Sequence, residues 1–159
     1  MMENRPRVDD DWNLWMLLFQ VRDAIFKVRS RELVKYGITA EQGLILLAVK
    51  VMGGSATPAQ IARFVLHEPH TVSGILNRMG AKGLIVRKRN TVNKHIIDVV
   101  LTEQGQRAFV QWQRMDCIHK AMAYLSKEKR EQLRSCLLPL RRGALKILGV
   151  KYSPPFPPL

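Results

Sequence analysis

Acidic side chains are scarce in this chain: 13 Asp and Glu stand against 26 Lys and Arg, for a formal net charge of +13 at pH 7. Those few carboxylates form no isolated pair suited to acid–base work. No serine or cysteine has an activating motif beside it, and no glycine-rich phosphate loop is present. The expectation is a protein that is not an enzyme and carries no cofactor. Cysteine is rarer still. Cys117 and Cys136 are too few for a disulfide framework and share no metal-site spacing, so they read as reduced thiols packed as small apolar groups. No apolar run approaches the roughly 18 residues of a membrane span. The N-terminal MMENRPRVDDDW lacks the apolar segment and cleavage site of a signal peptide. These absences point to a cytoplasmic protein with no membrane partner.

What is present fits a nucleic-acid partner. Hydrophobic residues make up 47% of the 159, enough to bury an ordinary core as one domain with or without helical extensions. A charge this large favours polyanions, nucleic acid first and an anionic membrane surface second. No acidic residue occurs from Pro69 to Ile97, whereas Arg78, Lys82, Arg87, Lys88, Arg89 and Lys94 are all basic. The stretch from Gln132 to Leu159 is equally free of acids, so charge alone does not locate a binding face.

Hydrophobic spacing gives the organisation. Residues 1–10 are polar and expected to be loose. A long helix is predicted over 11–36, closed by Gly37. Leu14, Leu18, Val21, Ile25 and Val28 form one apolar stripe, with Trp12, Trp15, Met16, Phe19 and Phe26 beside it. So wide an apolar arc needs cover on more than one side, most cheaply from a second subunit. Thr39 with Gln42 three residues on reads as a capping box opening a helix, with Leu44, Ile45, Leu47, Ala48 and Val51 as its buried face. Gly53-Gly54 ends it and Ser55-Ala56 is long enough for a short strand. Thr57-Pro58-Ala59-Gln60 repeats the start signal. The next helix spans 69–82, with Val72, Ile75, Leu76 and Met79 inward. Segments 84–89 and 96–101 form a hairpin around a polar tip at 90–95. One long helix is expected over 103–124 and another from Ser126 to about Leu148, kinked near Ser135–Pro139. The tail from Tyr152 to Leu159 is too rich in proline to be helical.

Helix, turn, helix and basic hairpin in this order place one polar helix face and one cationic loop on the same side. From Gly37 to Gly105 the chain resembles the winged helix-turn-helix of the MarR family of transcription regulators. The matching pieces are Ile38-Thr39-x-x-Gln42, Ile61-Ala62, Thr71-Val72-Ser73, Lys82-Gly83-Leu84-Ile85-Val86-Arg87 and Leu101-Thr102-Glu103-Gln104-Gly105. The resemblance implies a mainly α fold with a small β-wing. Residues 1–36 would be an N-terminal dimerisation helix, 37–105 the winged helix-turn-helix DNA-binding domain, 106–150 the C-terminal dimerisation helices and 151–159 a proline-rich tail. It further implies a homodimer on a pseudo-palindromic double-stranded operator, with repression as the direction of control.

The residue-level expectations follow from groove chemistry. A reading helix needs polar groups near its N-terminus and an apolar back. Ser73, Asn77 and His70 are the base-edge candidates, and Thr71 and Arg78 are candidates for phosphates. Gly74 lets the backbone approach a duplex. In the wing, Arg87, Lys88, Arg89 and Lys94 can neutralise phosphates or enter the minor groove. Two features depart from the family pattern. Asn93, Lys94 and His95 stand where Asp-Arg-Arg is usual, so a stiffening ion pair is missing and a mobile tip is expected. Glu68-Pro69 opens the helix with a carboxylate, which suits its dipole but repels phosphate.

Trp12, Trp15, Met16 and Phe19 read first as core or dimer contacts, a reading compatible with their also lining a pocket for a small aromatic or apolar effector, of the phenolic kind that similar proteins often bind. His67-Glu68-Pro69-His70 is not HExxH and Cys117-x-His119 lacks further ligands, so no metal is expected. Oxidant-sensing relatives usually place their cysteine near the first helix, where this chain has none. Two other functions stay open: a sequence-indifferent architectural DNA-binding protein, and a winged-helix subunit that contacts protein.

Overall fold

The computed structural model describes residues 9–150, so the expectations for the extreme N-terminus and the proline-rich tail lie outside the described residues. Helix α1 spans Asp10–Val34, and its orphan amides are met by Asp9, whose carboxylate accepts from the Trp12 N–H at 2.8 Å. Asp9 and Asp10 thus already belong to ordered structure. Helices α2 (Ala40–Val51) and α3 (Pro58–Val65) both open with the expected capping boxes, Thr39 with Gln42 and Thr57 with Gln60. Strand β1 (Ser55–Ala56) lies between them.

Helix α4 (Pro69–Ala81) follows a turn in which Leu66 takes the left-handed conformation, φ +55°. It ends at Gly83, φ +67°, where the Leu84 N–H bonds the Met79 carbonyl and the Gly83 N–H bonds the Gly80 carbonyl. That Schellman pair needs a left-handed residue, and glycine supplies it without a Cβ clash. It turns the chain straight into β2 (Ile85–Arg89), which pairs antiparallel with β3 (Ile97–Leu101); β3 also pairs with β1, giving the order β1-β3-β2. The expected wing therefore forms, with Arg87 opposite Val99 and Lys88 opposite Asp98.

The core joins Leu33 of α1, Ile45, Leu46 and Val49 of α2, Ile61 of α3, Val72, Leu76 and Met79 of α4, and Val99 of β3. The inward face expected for α4 is correct in full. For α2 it needs correction: Ile45 and Ala48 are buried, but so are Leu46 and Val49, while Leu44 and Leu47 are half-buried and Val51 is exposed. Helix α2 packs against α1, α3, α5 and the sheet at once, so no single stripe describes it.

A second correction concerns the helix expected over 103–124. It is two helices, α5 (Glu103–Trp112) and α6 (Asp116–Met122), parted at Met115 with φ +52°. Neither glycine nor proline marks the break. The cause is tertiary. From α1, Arg29 donates to the Trp112 carbonyl at the C-terminus of α5, and Glu32 accepts from the Cys117 N–H at the N-terminus of α6, 3.0 Å away. Arg29 and Glu32 also pair with each other, and both are almost fully buried. A cation thus sits at one helix C-terminus and a carboxylate at the other's N-terminus, each matched to the local dipole. The Trp112 ring stacks on Phe109 (centroids 6.0 Å apart), has the Arg29 guanidinium 5.5 Å from its centroid, and presses on Gly43 so closely that a Cβ there would lie 2.0 Å from it.

Helix α7 (Lys127–Ile147) continues through Pro139, which lacks the N–H that would bond the Ser135 carbonyl. Of its residues only Leu145 is buried. Among the described residues no helix is long and apolar enough to cross a membrane.

Burial pushes the Glu32 carboxyl up, but hydrogen bonds from Cys117 and the Arg29 cation outweigh it and leave the group below its ordinary value. Glu32→Gln strips Arg29 of its counter-charge and should cost about 3–5 kcal/mol at neutral pH. Since the folded pKa is depressed, this stabilisation is complete above the unfolded value of roughly 4.3 and is lost as pH falls through the folded one. Urea unfolding at fixed protein concentration should therefore show the gap between wild type and Glu32→Gln closing at acid pH. Gly43→Ala should cost about 1–3 kcal/mol by overpacking against Trp112. Gly80→Ala, with nothing within 4 Å of the added Cβ, should be neutral or stabilising.

Candidate nucleic-acid interface

Helix α4 divides cleanly. Val72, Ile75, Leu76 and Met79 bind it to the core, while His70, Thr71, Ser73, Asn77 and Arg78 are exposed and Gly74 is half-exposed. A Cβ on Gly74 would meet only Arg78 Nη1, at 3.7 Å, so the fold itself does not demand glycine there. The N-terminus is open: Glu68 makes no capping bond, Pro69 brings no N–H, and Val72 is the first residue whose amide bonds back, to the Glu68 carbonyl at 3.1 Å. Its first-turn amides are thus directed outward, as in anion-binding helix ends.

The wing residues do not act as one group. Side chains alternate along a strand, so Arg87 and Arg89 share the face of buried Ile85, while Lys88 lies on the opposite face beside Asp98. Arg87 reaches across to α4, where its Nη2 donates to Asn77 Oδ1 at 2.7 Å. The recognition-helix asparagine and the wing arginine, chosen separately from the sequence, are direct partners. Lys82 is drawn away, donating to the Gly37 carbonyl at 2.8 Å.

At the tip, asparagines do what the missing ion pair does not. Asn90 Oδ1 accepts from the Val92 and Asn93 amides, both at 2.9 Å, and Asn93 Oδ1 accepts from His95 N at 3.0 Å. Asn90 Nδ2 donates to Asp98 Oδ2 at 2.7 Å, tying the tip to β3. Such Asx turns are common where asparagine meets a tight reversal. Lys94 and His95 are held exposed at the end.

A cavity of about 340 Å³ lies between the start of α2 and the outer side of α4, lined by Thr39, Glu41, Gln42, His67, Thr71, Ile75 and Arg78. Sequence reasoning gave Thr39 and Gln42 only a capping role and missed that they share a cleft with Thr71 and Arg78. The four aromatic and methionine candidates of α1 lie elsewhere. Trp12, Trp15 and Phe19 form a row with centroids 5.3 and 6.2 Å apart, and each is about half exposed in the single chain, with Met16 half-buried. None of them lines the cavity beside α4.

The cysteines differ. Cys136 is exposed, while Cys117 is half-buried and its thiol donates to Glu32 Oε2 at 2.9 Å. Burial first, then the neighbouring Glu32 carboxylate, push the Cys117 thiol up, away from a reactive thiolate. Among the described residues, no three His, Cys, Asp or Glu side chains gather as a metal site.

Comparison with known proteins agrees with this geometry. The family model described as MarR family matches residues 36–94. The transcriptional repressor MdtR of Bacillus subtilis is 33% identical over 75 residues, covering 47% of this chain and 48% of its own length, so the chain spans about half of that relative. The organohalide-sensing transcriptional regulator RdhR, solved with 2,4-dichlorophenol, superposes with a TM-score of 0.86 at 27% identity, over 100% of this chain and 99% of its own. A mutant of MarR from E. coli complexed with operator DNA shares the fold, with a TM-score of 0.75 at 21% identity over 80% of this chain and 93% of its own. Residues 36–94 thus match the MarR family model, and the chain as a whole shares its fold with transcription regulators of known structure.

Proposed function

We propose that two copies of this chain bind a pseudo-palindromic double-stranded operator and repress transcription in the cytoplasm. The observation that carries the reading is the continuity of the outer face of α4 with the cationic face of the wing. An α-helix fits the major groove, where each base pair shows a distinct donor and acceptor pattern. His70, Ser73 and Asn77 face base edges, Thr71 and Arg78 hold phosphates, and Gly74 allows close approach. Arg89 and Lys94 follow the adjacent backbone or minor groove, and Lys88 meets phosphate from the wing's far face. Residues 37–105 serve as the DNA-binding unit, and helices within 1–36 and 106–150 join the subunits.

Dimerisation is supported by apolar surface left uncovered in the single chain. Leu14, Leu18, Val21 and Val28 of α1 and Leu133, Leu137, Leu138 and Ile147 of α7 are all exposed. Exposed apolar side chains repeated along a helix in this way mark association surfaces. Two-fold symmetry then sets half-sites about 34 Å apart, one helical turn of DNA.

Modulation by a small aromatic or apolar molecule is supported by the ring row Trp12, Trp15 and Phe19 and by the dichlorophenol held by RdhR. Such a ligand acts only by binding unequally to two spacings of the DNA-binding lobes.

Selection from a random duplex library at two salt concentrations tests the reading. An enriched palindrome is expected, bound at least ~10³-fold tighter than random duplex. Equal binding to all sequences would instead identify an architectural protein, and no duplex binding a protein-contacting subunit. Lys94→Ala should weaken every sequence alike and lower the salt slope by about 2 per dimer, one for each lysine. Gly74→Ala should leave the melting temperature unchanged or raised, yet reduce operator affinity; undiminished affinity would remove close backbone approach from the reading.

A further inference from the structure

We propose that Arg87 sets the base preference of Asn77, locking it as a hydrogen-bond donor that reads guanine. The inference deepens the DNA-binding reading above and rests on it. Asn77 lies on the exposed side of α4 and Arg87 on β2, and the Arg87 Nη2 to Asn77 Oδ1 bond of 2.7 Å joins them. A guanidinium has five donors and no acceptor, so only the oxygen of the amide can face it. The usual ambiguity between amide oxygen and nitrogen does not arise at this position. The Nδ2 group is consequently turned away from Arg87, and among the described residues it has no other hydrogen-bond partner.

That orientation has a chemical consequence. An unrestrained asparagine reads adenine with both ends of its amide, accepting from N6 through Oδ1 and donating to N7 through Nδ2. With one lone pair of Oδ1 held in a charge-assisted bond, the accepting capacity of the amide is reduced while both of its N–H donors are presented. Guanine is the base whose major-groove edge offers two adjacent acceptors, N7 and O6. The Arg87 charge beside the amide acts in the same direction, since it attracts those acceptors and disfavours the amino groups of adenine and cytosine.

The partners are well fixed for this role. Asn77 follows the buried Leu76 and lies two positions before the buried Met79, and Arg87 stands opposite the fully buried Val99 in the β2–β3 ladder. The Schellman turn at Gly83 connects the two elements directly. Arg87 is thereby a positioning residue for recognition, distinct from a simple phosphate contact.

Two measurements test this. In the free protein, the Asn77 side-chain amide resonances, identified by their loss in Asn77→Ala, should shift in Arg87→Ala and less so in Arg87→Lys, which retains a donor. In library selection, wild type should choose guanine at one position of each half-site, and Asn77→Ala should lose that choice. Arg87→Ala should move the same position toward adenine by at least about fivefold, the low end for a bidentate base contact, while Arg87→Lys keeps guanine. Adenine in the wild type at the Asn77-dependent position, or no such position, overturns the proposal. So does an unchanged preference in Arg87→Ala with a uniform loss of affinity and a smaller salt slope, which is the signature of a phosphate contact. If wild type enriches no sequence, the DNA-binding reading fails with it; if the resonances still shift, the latch exists without that purpose.

Discussion

The buried Arg29–Glu32 pair is the interaction on which the rest of this molecule depends. A buried ion pair is a poor source of net stability, since desolvation can cancel its Coulombic gain. Here each partner has a further task that no apolar side chain could take over. Arg29 meets the Trp112 carbonyl at the end of α5 and Glu32 meets the Cys117 amide at the start of α6. A helix interrupted without glycine or proline leaves carbonyls and amides without intrahelical partners. Charges of the right sign at the two ends make the interruption sustainable, and Met115 can then adopt its left-handed conformation.

The location of this junction matters as much as its chemistry. The N-terminal part of α1 carries the exposed aromatic row, while its C-terminal part supplies Arg29, Glu32 and the fully buried Leu33. Trp112, gripped by Arg29, lies against Gly43 of α2, and the start of α2 lines the cleft beside α4. A chain of packed groups therefore runs from the uncovered helix to the polar one. Coupling through it requires two discrete arrangements of the junction, since packed contiguity alone does not transmit a preference.

The legible parts of the fold were those encoded locally. Caps at Thr39 and Thr57 announce themselves by residue type and spacing, and α4 sits on the domain's edge, where one apolar stripe suffices. The wing follows from β-branched runs on either side of a polar tip. Features set by distant residues were not legible. Nothing near Met115 signals a break, because the side chains that stabilise it come from more than 80 residues earlier. For α2, burial on several sides erased the periodicity that marks an inward face. Within the candidate site, the individual residues of α4 and the wing could be chosen by polarity and charge. The Arg87–Asn77 contact and the cleft shared by Thr39, Gln42 and Arg78 depend on how elements pack, and the asparagine hydrogen bonds at the tip depend on the backbone path there.

Net charge is accordingly a blunt measure of what the cations do. Arg29 is buried in an ion pair, Lys82 holds the Gly37 carbonyl, and Arg87 holds an amide oxygen, so a formal charge of +13 overstates the number of cations directed at a polyanion. On the proposed reading, exposed cations such as Lys94 would contribute affinity that any duplex satisfies and that salt removes. An arginine already committed to a neighbouring side chain contributes differently: it fixes which hydrogen-bonding group that neighbour presents. On the proposed DNA-binding reading, selectivity on this surface would depend more on the cations that are internally engaged, and binding strength more on those that are not.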